Sequence, residues 1–238
     1  MKLPLVLISG WAHPASALQS LAKALSRRFD PQVLSAGQFS SGNLPLEPGS
    51  QAWILGWSLG GLLALEAALT RPDSVSKNRP AAGLILLSST ARFTRCDGYP
   101  QGTEPANLRA LQRALKGDPI AALWRFMADC ASPRSLTAQE LEGLSRTALS
   151  QGIDELQEGL RRLQDLDLRE RAKSLRIPCL LIHGREDLVI PWRASEWLAS
   201  QIAGSLLQVI DGAGHDLPLH NPGLVADRVL RFAAEVMP

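Results

Sequence analysis

Cysteine is scarce: Cys96, Cys130 and Cys179 are the only three, an odd number, far apart and outside any Cys-x-x-Cys spacing. That excludes a disulfide framework and a zinc knuckle, and makes reduced thiols in a cytoplasmic protein the expectation. Charge of one sign is missing too. Lys plus Arg number 25 against 23 Asp plus Glu, a formal net charge of +2, so nothing in the overall balance points to nucleic acid or a membrane surface. The longest apolar stretch, Ala52 to Leu69, is broken by Gly56, Ser58, Gly60, Gly61 and Glu66 and does not read as a membrane span. There is no internal repeat, low-complexity tract or charge block. What is present is 238 residues, 45% hydrophobic and 20% charged, enough apolar material for the core of one full-sized domain. Lys2, Leu3 to Ile8 and Ala15-Ser16-Ala17 have the outline of a signal peptide. We read the segment as retained, because its loss would remove a strand that supplies part of the site.

Runs rich in Val, Ile and Leu at Leu3 to Ile8, Gln51 to Gly56, Gly83 to Ser88, Pro178 to His183 and Ser205 to Ile210 read as strands buried on both faces. Helical spacing occurs between them, at Ala15 to Arg28, Leu59 to Thr70, Trp192 to Ile202 and Pro222 to Val236. This alternation predicts an α/β fold with a mostly parallel sheet flanked by helices. From about Arg92 to Arg176 the strands stop. Pro105 to Lys116, Pro119 to Cys130, Thr137 to Ser150 and Ile153 to Asp165 read instead as consecutive amphipathic helices. The expected organisation is a core of residues 1–91 and 177–238 with a helical lid, 92–176, inserted in it. Gln38 to Ser50, with several Gly, Ser and Pro, reads as a loop.

Gly56-Trp57-Ser58-Leu59-Gly60-Gly61 fits Gly-x-Ser-x-Gly, and it sits between an apolar strand and a helix-forming run. In that context the serine is held in a sharp strained turn that pushes its hydroxyl into a cleft. The alternative is a glycine-rich turn with an incidental serine. A serine hydroxyl needs a base, itself oriented by a carboxylate. Of four histidines, His215 stands on a glycine-rich loop after the last strand and is the candidate base. His13, His183 and His220 read as structural or solvent-exposed. Asp187, on the loop leaving the strand that ends at His183, is the candidate acid, with Glu186 beside it as the fallback. Two backbone N–H groups, of Leu59 after the nucleophile and of Trp11 after the first strand, are the candidate oxyanion donors. The Trp11 ring could also shape an acyl pocket.

With these residues in place the chain resembles the α/β-hydrolases, whose triad runs in the same order, Ser58, Asp187, His215. More narrowly it resembles the pimeloyl-acyl-carrier-protein methyl ester esterases of biotin synthesis. The resemblance rests on Ser9-Gly10-Trp11, Gly56 to Leu62, Leu87 to Phe93 leading into Tyr99-Pro100, Trp124-Arg125-Phe126, Asp167-Leu168-Arg169, Gly184 to Pro191 and Gly214-His215. It implies hydrolysis of a methyl ester on a carrier-bound pimeloyl chain by a monomer, with no metal or organic cofactor. It also implies acyl contacts from Trp11, Phe126, Met127, Ala128, Asp129 and Cys130, and a carrier contact from Arg125. Three features depart from the family. Ser9 stands where it usually has His, which removes a side chain that orders the oxyanion loop. Gln32 to Ser41 lacks the usual Asp-x-x-Gly-x-Gly-x-Ser turn, which suggests a trimmed sheet edge. Other lid arginines do not align, although Arg109, Arg113, Arg134, Arg146, Arg161 and Arg162 are available. A carrier-independent short-chain esterase or thioesterase, and a non-catalytic binder using the cleft, are the competing readings.

Overall fold

The computed structural model describes residues 2–39, 52–69 and 81–237. Among these, six strands form one sheet in the order β2-β1-β3-β4-β5-β6, and every pairing is parallel. The strands are β1 (Leu3–Ile8), β2 (Phe29–Leu34), β3 (Ala52–Trp57), β4 (Ala81–Leu87), β5 (Cys179–Gly184) and β6 (Leu206–Ile210). β3 and β5 are buried at every position, as their unbroken apolar runs require when both faces are covered. One face carries α1 (Gln19–Leu25), the short α9 (Leu217–His220) and α10 (Pro222–Val236), and the other carries α2 (Leu59–Leu69) and α8 (Trp192–Gln201).

Two sequence expectations change. The helix expected at Ala15 to Arg28 is a 3-10 turn, Ala15–Leu18, followed by the shorter α1. The sheet edge carries a strand absent from the apolar pattern, β2, paired through its full length with β1. Asp30, Pro31 and Gln32 interrupt the apolar pattern that would have announced a strand, and Pro31 is tolerated because β2 lies at an edge. The loop expected at 38–50 falls outside the described residues except for Gln38 and Phe39.

Between β4 and β5 come α3 (Pro105–Gly117), α4 (Pro119–Ala131), α5 (Ala138–Leu149), α6 (Ile153–Asp165) and the short α7 (Arg169–Ala172). Their starts are written locally. Pro occupies the first turn of α3 and α4, where its missing N–H costs nothing. Asp118 caps α4 by accepting from the Ala121 N–H, and Thr137 with Glu140 forms a reciprocal capping box on α5. The two ends of the block are tied together. Arg92 and Asp167 share an antiparallel bridge and a 2.7 Å ion pair, and the Leu168 N–H donates to the Ala91 carbonyl.

The turn after β1 holds itself together. The Ser9 hydroxyl donates to the His13 carbonyl at 2.6 Å, and His13 Nδ1 donates to the Trp11 carbonyl at 2.9 Å. These bonds span the turn at the place where the usual histidine is missing. Burial against Trp57, with ring centroids 4.4 Å apart, lowers the His13 pKa to about 4.

Two consequences are measurable. A Cβ on Gly60 would collide with the Ile8 and Ser9 carbonyls of β1, so Gly60→Ala is expected to cost about 3 kcal/mol of unfolding free energy in urea. The unfolded chain takes up a proton on His13 near the ordinary imidazole value, whereas the folded chain refuses it until about pH 4. Stability therefore falls as the pH drops through that window. His13→Asn, which keeps a donor near Nδ1, is expected to lose about 2 kcal/mol less than wild type between about pH 7.5 and about pH 5. Parallel pH dependences of the two proteins would contradict this.

Candidate active site

The sharp turn between β3 and α2 places Ser58 at φ 57°, a left-handed conformation that costs a non-glycine residue energy. Its N–H donates to the Leu87 carbonyl at 2.9 Å, and its carbonyl accepts from Gly61 N, Leu62 N and the Ser89 hydroxyl. Gly56 lets the turn close, because a Cβ there would strike the Gly60 backbone. The strain thus has several anchors, and the Ser58 side chain is left for other work.

That side chain meets His215. Ser58 Oγ lies 2.8 Å from His215 Nε2, and His215 Nδ1 lies 2.8 Å from Asp187 Oδ2. All three residues follow the carboxyl ends of strands, β3, β5 and β6, where parallel sheets place their ligand sites. Trp57 Nε1 donates to the His215 carbonyl at 2.9 Å and so fixes the loop that carries the imidazole. Asp187 Oδ1 accepts from the Val189 and Ile190 N–H groups, each at 2.8 Å. Burial alone would push the Asp187 carboxyl up. Neighbouring His215, with hydrogen bonds from His183 and His215, reverses this and holds it well below the usual carboxylate range. Such an arrangement can draw a proton from a hydroxyl and hold the resulting imidazolium. Glu186 is not part of it; the triad contact belongs to Asp187.

The segments that carry both candidate oxyanion donors lie beside Ser58. Leu59 opens α2, so its N–H is among those with no partner inside the helix. Gly10 lies close enough that a Cβ on it would come 3.1 Å from Ser58 Cβ, which sets the Gly10-Trp11 segment against the serine. The Trp11 indole is fastened from the other side. Its Nε1 donates to the Leu156 carbonyl of α6 at 2.7 Å, and its ring lies over Gly159 and edge-on to Phe126 at 4.6 Å.

Ser58 opens into a cavity of about 310 Å³, lined by Trp11 and Phe93, by Asn107, Leu108 and Leu111 of α3, by Ala122, Arg125, Phe126 and Asp129 of α4, and by Leu160, Leu163, Leu188 and Val189. Of the acyl contacts expected on α4, Phe126 and Asp129 line this cavity, and Met127 and Cys130 do not. A helix shows one side only every three or four residues, so a run of five consecutive contacts was not available. Met127 and Cys130 turn to a separate hollow with His13, Arg134 and His220, and Ala128 packs on the core. Burial, then Asp187, Asp216 and Asp129, raises the Cys130 thiol well above its ordinary pKa, which removes it as a competing nucleophile. The contributions of α3 and of Leu188 and Val189 went unnoticed in the sequence. Their signals were the apolar pair 108 and 111 and the apolar run directly after Asp187.

His183, expected to be structural or exposed, is fully buried and contacts Asp187. His220 pairs with Asp216 at 2.7 Å, away from Ser58. Among the described residues no group of three or more His, Cys, Asp or Glu is placed to hold a metal ion, and no helix is long and apolar enough to cross a membrane.

Comparison with known proteins gives the family and the fold. Residues 5–228 match the alpha/beta hydrolase family. A pimeloyl-[acyl-carrier protein] methyl ester esterase of Nitrosomonas europaea is 31% identical, covering 89% of this chain and 88% of its own. The protein of that name from Stenotrophomonas maltophilia strain K279a is also 31% identical, covering 98% and 94%. In structure, an esterase from Exiguobacterium antarcticum superposes with a TM-score of 0.81 at 20% identity over 98% of this chain and 92% of that one. A bromoperoxidase from Bacillus anthracis gives 0.82 at 17% identity with the same coverage, which speaks to the fold alone. Sheet, site geometry and sequence agree: the chain is a member of the alpha/beta hydrolase family.

Proposed function

We propose that this carboxylic ester hydrolase is a serine esterase that cleaves the methyl ester of a pimeloyl chain carried on acyl carrier protein, in biotin synthesis. The observation that carries the reading is the hydrogen-bonded series Ser58, His215, Asp187 at the end of an apolar cavity. The names of the relatives supply the substrate.

Ser58 Oγ attacks the ester carbonyl as its proton passes to His215 Nε2, and the Leu59 and Trp11 N–H groups hold the oxyanion. Asp187 stabilises the imidazolium without taking its proton. Methanol leaves with the proton from His215. Water then attacks the acyl-serine, again through His215, and releases the free carboxylate. Residues 92–176 act as a lid on the core of 1–91 and 177–238, with Phe126, Leu108 and Leu163 against the methylene chain. No cofactor enters the chemistry. Three free cysteines suit a reducing cytoplasm.

A carrier protein is acidic, and the cations best placed to meet it lie beside the cavity. Arg109 and Arg113 are exposed on α3, and neither makes an ion pair among the described residues. Arg125 is exposed on α4 and lines the cavity. By contrast Arg146, Arg161 and Arg162 are engaged with Glu142 and Glu158 on their own helices, and Arg134 with His220 and Asp216. Such exposed charges steer encounter and are screened by salt.

Ser58→Ala is expected to reduce hydrolysis of a nitrophenyl ester by at least about 10⁴-fold and to abolish labelling by a fluorophosphonate. Undiminished turnover would defeat the mechanism. A double charge reversal, Arg109→Glu with Arg113→Glu, is expected to lower kcat/KM for the carrier-linked ester roughly tenfold at low salt. Turnover of the small ester should not change, and only the carrier-linked reaction should slow as salt is added. Equal kcat/KM for free and carrier-bound methyl esters would remove the carrier from the proposal.

A further inference from the structure

Asp187 Oδ2 serves a second imidazole. His183 Nε2 lies 3.0 Å from that oxygen and 2.9 Å from the Ile190 carbonyl. Both neighbours are acceptors, so Nε2 carries the hydrogen and donates. On its other side His183 Nδ1 lies 2.7 Å from the Ser195 hydroxyl at the start of α8. That hydroxyl is also 2.8 Å from the Ser89 carbonyl, and the Ser89 hydroxyl donates to the Ser58 carbonyl at 2.9 Å. The contacts therefore close on themselves, with the single Ser195 hydrogen going to the Ser89 carbonyl or to His183 Nδ1: from the Ser58 backbone through Ser89, Ser195 and His183 to Asp187, and back through His215 to Ser58 Oγ. Every residue in this ring is buried.

We propose that His183 is a positioning residue for the esterase reaction, which locks the Asp187 carboxylate and shares its charge, and so sets how strongly Asp187 supports His215. The inference deepens the serine-esterase reading and rests on it. A carboxylate held only through Oδ1 by Val189 and Ile190 could rock about its Cβ–Cγ bond. A donor on Oδ2 from β5 removes that freedom, and the link to Ser195 keeps the donor's own ring from turning. Two N–H groups on one oxygen divide its negative charge, so losing one strengthens the hold on an imidazolium at the other.

The other titratable groups around His215 leave this role to Asp187. His13 after β1 and Cys130 on α4 are kept uncharged near neutral pH by burial. Asp216, on the loop of His215 itself, is faced by His220 and Arg134.

The test compares two isosteres on a nitrophenyl ester across pH. In His183→Gln the amide nitrogen reaches the place of Nε2 and can still donate to Asp187. In His183→Asn the amide matches Nδ1 and reaches only Ser195. H183N is expected to lower kcat on the order of tenfold with KM within about twofold. Its acid limb should move to higher pH by about half a unit or more. H183Q should recover most of the rate and the wild-type limb. Should H183N fail to fold, Ser195→Ala, which frees the far side of the ring, should move the limb in the same direction by less. Limbs unmoved in both H183N and S195A would overturn the proposal and leave His183 as packing, as would equal losses in H183N and H183Q. A wild-type protein that neither turns over the ester nor takes up a fluorophosphonate at Ser58 would instead defeat the esterase reading itself.

Discussion

A buried carboxylate is the constraint around which this molecule is arranged. Desolvating an ionised group costs several kcal/mol unless its lone pairs are answered. Asp187 is answered four times: by two backbone N–H groups on Oδ1 and by His183 and His215 on Oδ2. Supplying those donors dictates local structure. The chain leaving β5 bends back so that the Val189 and Ile190 amides meet their own loop's side chain. The last residues of β5 must include His183, and the loop after β6 must return to deliver His215. Ser58 Oγ then meets an imidazole already oriented, and its own strained turn need only present the hydroxyl.

The helices between β4 and β5 answer a different requirement. They present apolar side chains inward, to the cavity and to the sheet, and leave charge on the outside. The charges are not equivalent. Those on α5 and α6 are largely neutralised within a helix at separations of three and four, an arrangement of little consequence for stability at exposed sites. Those on α3, Arg109 and Arg113, enter no ion pair among the described residues. The helical block thus holds an apolar cavity and exposed arginines side by side, although the whole chain carries a formal net charge of only +2.

Legibility in the sequence followed the range of the interactions. Gly56 to Leu69 announced strand, turn and helix because all the determinants of that turn lie within a few residues. Asp187 and His215 could be picked out as residues following strands, but their approach to within 2.8 Å of their partners is a product of the parallel sheet order. β2 escaped because Pro31 and Asp30, harmless at an edge, break the pattern by which buried strands are recognised. The facing of α4 is not legible in a contiguous run, because successive helical residues diverge by about 100° and only Phe126 and Asp129 of residues 126–130 line the cavity. His183 looked idle for a related reason. Its significance lies in Ser195 and Ile190, which nothing in its own neighbourhood singles out.

The seat of the Trp11 indole bears on how such enzymes diversify. The loop after β1 belongs to the sheet, yet its aromatic side chain hangs from the Leu156 carbonyl and rests on Gly159, both in α6. The helical block therefore holds this aromatic side chain, and with it the loop after β1, in place. Exchanging the whole block for that of another family member would discard the shelf on which the ring rests. Recombination therefore has its safest boundaries inside the block, with α6 and the Phe126 turn of α4 kept alongside the parent sheet.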